Sequence, residues 1–157
     1  MSQKRNDRLN GPQVGVVHRF PPVQKLGPYA LAANTNWQDV TDMSLSITLT
    51  EVSHIQIMAE GKFICTAAGA ENFITFLKVV RNPLGAGYAD HAYRPDAAET
   101  IVATGAADWY TDMSHSVEWT DCAVGVHLFK MQACEILQTA RTRKLYHTVM
   151  IPHIIKA

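Results

Sequence analysis

At 157 residues and 17.4 kDa, with 47% hydrophobic residues, the chain is long enough for one domain with a substantial core and too short for two of ordinary size. Its 14 Lys and Arg balance its 14 Asp and Glu, so the formal net charge is zero and there is no global basic field for nucleic acid. The composition excludes a strongly basic nucleic-acid binder and is compatible with packing into an assembly.

The cysteines and the opening residues indicate a reducing compartment. Cys65, Cys122 and Cys134 lie far apart and form no C-x-x-C pair, which predicts reduced buried thiols rather than a disulfide framework or a zinc site. The opening MSQKRNDRLNG has no apolar leader segment, and no run approaches the roughly 18 apolar residues of a membrane span. We therefore expect a protein kept in the cytosol, with no membrane partner.

Residues 1–34 are predicted to form an extended arm, and residues 35–157 the folded domain. The arm segment carries four prolines, three glycines and five cations against Asp7 alone. Each proline removes an amide donor and biases its predecessor away from helix. The apolar side chains predicted as assembly contacts of this arm are Val14, Val16, Val17, Phe20, Tyr29 and Leu31. We expect the arm to lie on a neighbouring subunit, with packing on its own domain as the alternative.

From Trp37 onward the hydrophobic period is two, which predicts strands. The strongest signal is SLSITLT, in which Leu45, Ile47 and Leu49 share one face. About eight strand segments are predicted, and their spacing favours a sandwich or barrel. Within SHIQIMAEGKFICTA, the residues EGK at 60–62 are predicted to interrupt the strand. The segments after SLSITLT are SHIQIMAEGKFICTA, ENFITFLKVVRN, ETIVATGAADWY, MSHSVEWTD, VGVHLFKMQACEIL and KLYHTVMIPHIIKA.

The C-terminal third leaves two alternatives open. MQACEILQTARTRKL can be arranged with a helical period, but it continues a strand pattern, and the polar stretch 138–143 suits a hairpin turn between the last two strands. Pro152 cannot donate to a ladder, which predicts an edge or a bulge in the final strand. The closing HIIKA could instead cross to another chain.

The stretch GVHLFKMQ begins at Gly125 and alternates two sets of side chains. The sets are His127, Phe129 and Met131 on one face, and Val126, Leu128 and Lys130 on the other. Gly125 allows a bulge or a close backbone approach. We interpret His127 as a hydrogen-bonded histidine of the sheet rather than a metal ligand.

From residue 37 to the end, the order of elements resembles the small antiparallel jelly-roll domains of phage tail-fibre, head-fibre and capsid-decoration proteins, which are similar to tumour necrosis factor and C1q heads. The matching pieces are WQDVTDMSLSITLT, HIQIMAEGKFI, FITFLKVVRNPLGAG with an Arg-x-x-x-Gly-type turn, and DCAVGVHLFKMQA followed by RKLYHTVMIPHII as a final hairpin. The residues that match the penultimate-strand pattern of such domains are Asp121, Ala123, Gly125, His127, Phe129 and Gln132.

This resemblance implies an all-β, antiparallel jelly-roll β-sandwich that forms a homotrimer on a bacteriophage virion. It also implies assembly in the host cytoplasm, with self and the major capsid or other virion proteins as partners. The absence of a long shaft or heptad repeat favours a capsid-decoration protein over a fibre head.

Catalytic and ligand-binding signals are weak. The seven histidines show no H-x-H or H-E-x-x-H spacing, and there is neither a Gly-x-Ser-x-Gly elbow nor a phosphate loop, so we predict no enzyme, no metal and no cofactor. The alternative function is a glycan- or receptor-binding module that uses loops within 86–98 and 106–115. Its candidate residues are Asp90, His91, Arg94, Trp109 and Tyr110.

Overall fold

The computed structural model describes residues 17–30, 37–66, 71–89, 97–103, 108–136 and 142–157. In these residues ten strands and no helix occur, which confirms the all-β prediction. The strands are β1 (Val17–Arg19), β2 (Val23–Lys25), β3 (Tyr29–Ala30), β4 (Gln38–Leu49), β5 (Ser53–Thr66), β6 (Glu71–Pro83), β7 (Ala97–Ala103), β8 (Asp108–Cys122), β9 (Gly125–Ile136) and β10 (Thr142–Lys156).

The strands form two antiparallel sheets. Sheet A has the order β1-β10-β5-β8, with β2 and β3 also paired to β10, and sheet B has the order β4-β9-β6-β7. The partners are nested, because the first strands pair with the last, β4 with β9, β5 with β8 and β6 with β7. A long hairpin rolled up in this way is a jelly roll, so the predicted fold class is confirmed.

The predicted final hairpin is wrong. β9 pairs with β4 and β6 in sheet B, whereas β10 pairs with β5 and the arm strands in sheet A. The predicted turn over 138–143 is therefore a crossing between sheets, and residues 137–141 lie outside the described residues. The helical alternative is also wrong for 131–136 and 142–145, which are strands. Alternation predicts a strand, but it does not identify the strand's partner.

The predicted interruption at EGK is wrong as well, since β5 runs through residues 60–62 without a break. Gly61 lies on the buried face of β5, where a Cβ atom would stand 2.9 Å from Leu145 Cδ1 and 3.3 Å from Thr148 Cγ2. The irregularity is in the opposite strand, where the register of β10 shifts between Tyr146 and Val149 and His147 takes a φ of 48°. Gly61 makes room for this bulge.

Pro152 belongs to an inner strand, because β10 is paired on both sides. The prediction of an edge is therefore wrong, and the bulge of β10 is several residues away. The Pro152 carbonyl accepts a hydrogen bond from the Phe20 amide at 3.3 Å, so its nitrogen also points to the arm side. On that side β1 has already ended and Pro21–Pro22 precede β2. No neighbouring strand there requires a hydrogen bond from the nitrogen of Pro152.

The core lies between the two sheets and contains most of the predicted apolar faces. Ile47 and Leu49 are buried and Leu45 packs against them, as predicted. Trp119 of β8 and Phe129 of β9 join the sheets, with ring centroids 5.2 Å apart. Together they belong to a cluster of 19 buried residues that spans both sheets.

The described part of the predicted arm, residues 17–30, lies along β10 of the same chain. Val17 stands opposite Ile155, and Val23 and Tyr29 pack against the core. Lys25 Nζ reaches across to sheet B, where it bonds the Thr41 carbonyl at 3.1 Å and Asp42 at 3.2 Å. These residues therefore form part of the sandwich, and the boundary at 34/35 stays a prediction.

Candidate functional site

His127 is a structural residue with both ring nitrogens occupied. It is fully buried in β9, beside Phe129 and Met131 on the same face, as predicted. Nε2 lies 2.8 Å from the Ala123 carbonyl, which can only accept, and Nδ1 lies 2.9 Å from Nη2 of Arg81, which can only donate. This geometry requires the neutral tautomer with its hydrogen on Nε2. No lone pair is left for a metal ion.

The middle of the outer face of sheet B, along β6 and β9, is closed by its own side chains. Lys78, Val80 and Cys134 point away from the main core but are only 5%, 3% and 4% exposed. The Lys78 ammonium lies 3.9 Å from the centroid of the Trp37 ring, and Trp37 meets Phe76 edge to face at 6.1 Å. This second cluster buries the side chains in the middle of β6 and β9 on the outer face.

An ionic network continues across the same face. Asp39 accepts hydrogen bonds from Lys130 at 2.6 Å and Gln132 at 2.7 Å, and Lys130 also lies 4.1 Å from the Tyr88 ring centroid. Partial burial would raise the pKa of Asp39, but these hydrogen bonds and the Lys130 charge outweigh it and lower the pKa. Burial, followed by the Asp39 charge, raises the pKa of Tyr29. The network ties β4 to β9.

The outer face of sheet A carries apolar side chains that are only half-buried. Its outward residues on β10 are the half-buried Val149, Ile151 and Ile155, with His153 between them. Ile151 stands opposite Met58 of β5, which extends the apolar surface across the sheet. We call Met58, Val149, Ile151 and Ile155 the apolar stripe. No described element covers it.

A polar depression of about 540 Å³ adjoins this stripe at the bulge of β10. Glu60 stands opposite Ser114 and Lys62 opposite Asp112, so two carboxylates, an ammonium and a hydroxyl share the depression. His147, projected outward by the bulge, completes the lining. These groups can hydrogen-bond a polar ligand.

One end of the sandwich carries exposed apolar side chains. Val52 lies in the β4–β5 turn, Val124 in the β8–β9 turn, Val126 at the start of β9 and Leu84 just after β6. Their exposed fractions are 48%, 54%, 45% and 58%. The Leu84 amide donates to the Val126 carbonyl at 3.0 Å, so these two are neighbours. We call Val52, Leu84, Val124 and Val126 the apolar end.

The described part of the arm begins at this end of the sandwich. Antiparallel β1 begins at Val17 opposite Ile155, one position from Lys156, which stands opposite Ser53 next to Val52. A groove of about 220 Å³ beside it is lined by Phe20, Ile154 and residues 48–51. Of the other predicted arm contacts, Tyr29 is half-buried against the core, while Val14, Val16 and Leu31 lie outside the described residues.

Of the predicted ligand-binding residues, only Trp109 and Tyr110 belong to the part of the chain that the structure describes. Asp90, His91 and Arg94 lie outside the described residues. Trp109 and Tyr110 belong to β8, opposite Cys65 and Ile64, so the loop predicted over 106–115 is a strand from Asp108 onward. Sequence analysis missed the depression at the β10 bulge, because its residues come from three strands that are distant in sequence.

The described residues include two buried cysteines, no metal-binding cluster and no membrane-spanning helix. Cys122 and Cys134 are buried thiols that form no disulfide, and burial raises the pKa of the Cys122 thiol, although the charge of Arg81 and a backbone hydrogen bond at Ile55 oppose this. Within the described ranges no cluster of three His, Cys, Asp or Glu could hold a metal ion. The same part of the chain has no helix long and apolar enough to cross a membrane.

Comparisons with known proteins support the fold and do not assign a family or a function. No protein-family model matches the chain, and no characterised protein matches it significantly in sequence. A chain from the structure of infectious bursal disease virus, Gx strain, is similar with a TM-score of 0.50 and 10% identity, over 90% of this chain and 33% of that chain. This protein thus spans about a third of the viral chain's length. The Eiger TNF from S. frugiperda gives a TM-score of 0.48 and 8% identity, over 89% of this chain and 94% of that one.

Proposed function

We propose that this chain is a structural protein of a virus particle, which acts by association through its β-sandwich rather than by catalysis. The jelly-roll fold, also found in a chain of a virus structure, is compatible with this role and supports the architecture only. The argument for association comes from the surface of this chain itself.

The observation that carries the proposal is the contrast between the two outer faces. In the middle of sheet B, Lys78, Val80 and Cys134 are buried on the outer face beside Trp37, whereas all four side chains of the apolar stripe on sheet A are partly exposed. Burial of such a surface contributes about 25 cal/mol per Å². Apolar side chains on a sheet face that is not sealed by its own chain are a typical contact surface for another subunit.

The dimensions of this face fit a specific interface. The three long strands β10, β5 and β8 give a face roughly 14 Å wide and 45 Å long, from the usual strand spacing and rise per residue. This is on the order of 650 Å², close to the roughly 800 Å² per partner of a standard interface. Sheet A alone therefore offers nearly enough area for a stable contact, and we propose a homotrimer built on it.

Light scattering tests the proposal. The wild-type chain is expected to have a mass of three times 17.4 kDa, and Ile151→Lys to be monomeric because it places a charge in the apolar stripe. Ser46→Lys adds the same charge at an exposed position on sheet B and is expected to keep the wild-type mass. A wild-type monomer, or an Ile151→Lys protein of unchanged mass, would contradict association through this face.

The finer role that we propose is capsid decoration, with attachment through the N-terminal segment. Because residues 17–30 are committed to β10 of their own chain, deletion of residues 1–30 would strip three strands from sheet A. Deletion of residues 1–16 is the cleaner test: we expect an unchanged thermal midpoint and reduced incorporation into particles. Undiminished incorporation would rule out attachment by this segment.

A second candidate function, binding of a glycan or a receptor, is supported by the polar depression. Its carboxylates, hydroxyl and ammonium can bond the hydroxyl groups of a saccharide. A ligand that binds there should raise the thermal midpoint of the wild type and not that of Asp112→Asn. A panel of monosaccharides and oligosaccharides without any such shift would argue against this function.

A further inference from the structure

We infer that the apolar end is the docking surface for residues 10–16 of a second copy of this chain. The inference deepens the proposed assembly function and rests on it. It names which surface of one subunit receives the segment that precedes β1 of the next.

The apolar end is suited to an uncharged apolar segment. Its four side chains are each about half exposed, and apolar side chains grouped in this way on a surface can mark a contact site. Lys156 and Glu51, two of the charges near this end, are paired with each other at 2.5 Å. An uncharged segment can bind here without breaking this pair.

The segment before β1 has the matching chemistry. Residues 10–16 read NGPQVGV and contain no charge, whereas residues 4–8 are mostly basic. Val14 and Val16 stand at strand spacing, so in an extended conformation both side chains fall on one face. They are the only apolar pair with this spacing in residues 1–16.

Chain geometry favours a second copy over the same chain. From β1 to β8 there are three strand spacings, or about 14 Å, and Val124 lies beyond β8. Leu84 and Val126 belong to the other layer, roughly 10 Å away. Val14 is three residues from Val17, so its Cα can lie at most about 11 Å from that of Val17. The valine pair of a chain thus falls short of most of its own apolar end, whereas a neighbour's pair has no such restriction.

The contact is head to tail, since the segment of one subunit meets a different surface of the next. Such contacts close into a ring when the rotation between subunits allows it. The groove between Phe20 and the β4–β5 turn lies at the same end of the sandwich.

Disulfide trapping between separate chains tests the inference. In a Cys65→Ser background, Val14→Cys protein is mixed with ¹⁵N-labelled Val124→Cys protein, allowed to associate and oxidised mildly. Cys122 and Cys134 are buried and should not compete. Tryptic peptides that link position 14 of the unlabelled chain to position 124 of the labelled chain are expected in roughly tenfold excess over those from a matched mixture with Ser46→Cys, because docking raises the local concentration.

The controls separate this inference from the proposed function. An oligomer by light scattering with equal linkage to positions 124 and 46 would overturn the docking site and leave the assembly function intact. A Val14→Cys, Val124→Cys double variant that links only within one chain would show that the segment covers its own end, which also overturns it. A monomeric wild type without linkage would overturn both.

Discussion

At the scale of single residues, His127 shows how a polar side chain is held in the core of the sandwich. The ring donates to the Ala123 carbonyl and accepts from Arg81, so two elements, the β8–β9 turn and β6, are tied to the first residues of β9. The imidazole is fully buried and both hydrogen bonds are part-buried, so removal of the ring nitrogens leaves polar groups less well paired.

Replacement of His127 by Phe tests this role. The ring volume is kept, but the Arg81 guanidinium and the Ala123 carbonyl lose their partner, so we expect a loss of about 2–3 kcal/mol in the free energy of unfolding. Urea denaturation measures it. Thr48→Ala, on the solvent side of the neighbouring strand, should change stability by less than about 0.5 kcal/mol. Equal effects of the two changes would contradict a structural role for the imidazole.

Asp39 predicts a small dependence of stability on acid. The pKa of Asp39 in the folded protein is below its ordinary value. Its contribution to the stability of the fold is therefore complete above the unfolded pKa of about 3.9 and is lost as pH falls through the folded pKa. The side chain is 54% exposed, which limits the contribution to about 0.5 kcal/mol. Between pH 5 and pH 2, Asp39→Asn should lose less stability than the wild type. Parallel curves would show that the Lys130 and Gln132 contacts do not act in solution.

At the scale of elements, the bulge of β10 and the glycine of β5 depend on each other. The bulge brings both Leu145 and Thr148 into the space next to Gly61, while His147 is turned outward into the depression. A side chain at position 61 would push against two buried neighbours on an inner strand. The polar depression therefore depends on a glycine that contributes no chemistry to it.

Gly61→Ala is accordingly expected to destabilise the protein by about 1–3 kcal/mol through overpacking. Gly27→Ala is the matched control, since a Cβ at position 27 would meet nothing within 4 Å, and it should be neutral within about 0.5 kcal/mol. Thermal or urea unfolding measures both. A neutral Gly61→Ala would mean that β10 relaxes readily at the bulge.

At the scale of the whole molecule, nested pairing makes the fold cooperative. Residues near the two ends of the chain pair with each other in β1 and β10, and every other main pairing lies inside that outer pair. Most contacts are therefore between residues distant in sequence, which is typical of slow, cooperative folding. Every described strand pairs with at least one other, so unfolding of any one strand would remove hydrogen-bonding partners from a neighbour.

Cysteine labelling tests this cooperativity. Cys122 is 1% exposed and burial raises the pKa of its thiol, so it should resist iodoacetamide in the native protein. With increasing urea, modification of Cys122, followed by mass spectrometry, should rise in parallel with the loss of strand signal in circular dichroism. Modification well before the spectroscopic transition would indicate local opening of β8 and contradict a single cooperative unit.

The sequence by itself determined the elements of this protein and their faces. The period of two assigned Ile47 and Leu49 to one half-buried strand face, and it put His127, Phe129 and Met131 together on one face of another strand, because alternation records which side chains share a side. It did not indicate that the face of His127 is the buried one. Such shared faces are local properties, which each segment carries alone.

Only the tertiary structure decided which strands meet. It placed β9 and β10 in different sheets, set Pro152 opposite a gap in the arm, and brought Glu60, Asp112 and His147 to one depression. It also showed that Lys78, Val80 and Cys134 are buried on the outer face of sheet B while the stripe on sheet A is partly exposed. The physical reason is that backbone hydrogen bonding is the same for every strand, so partner choice depends on long-range packing of whole faces, which no local pattern records.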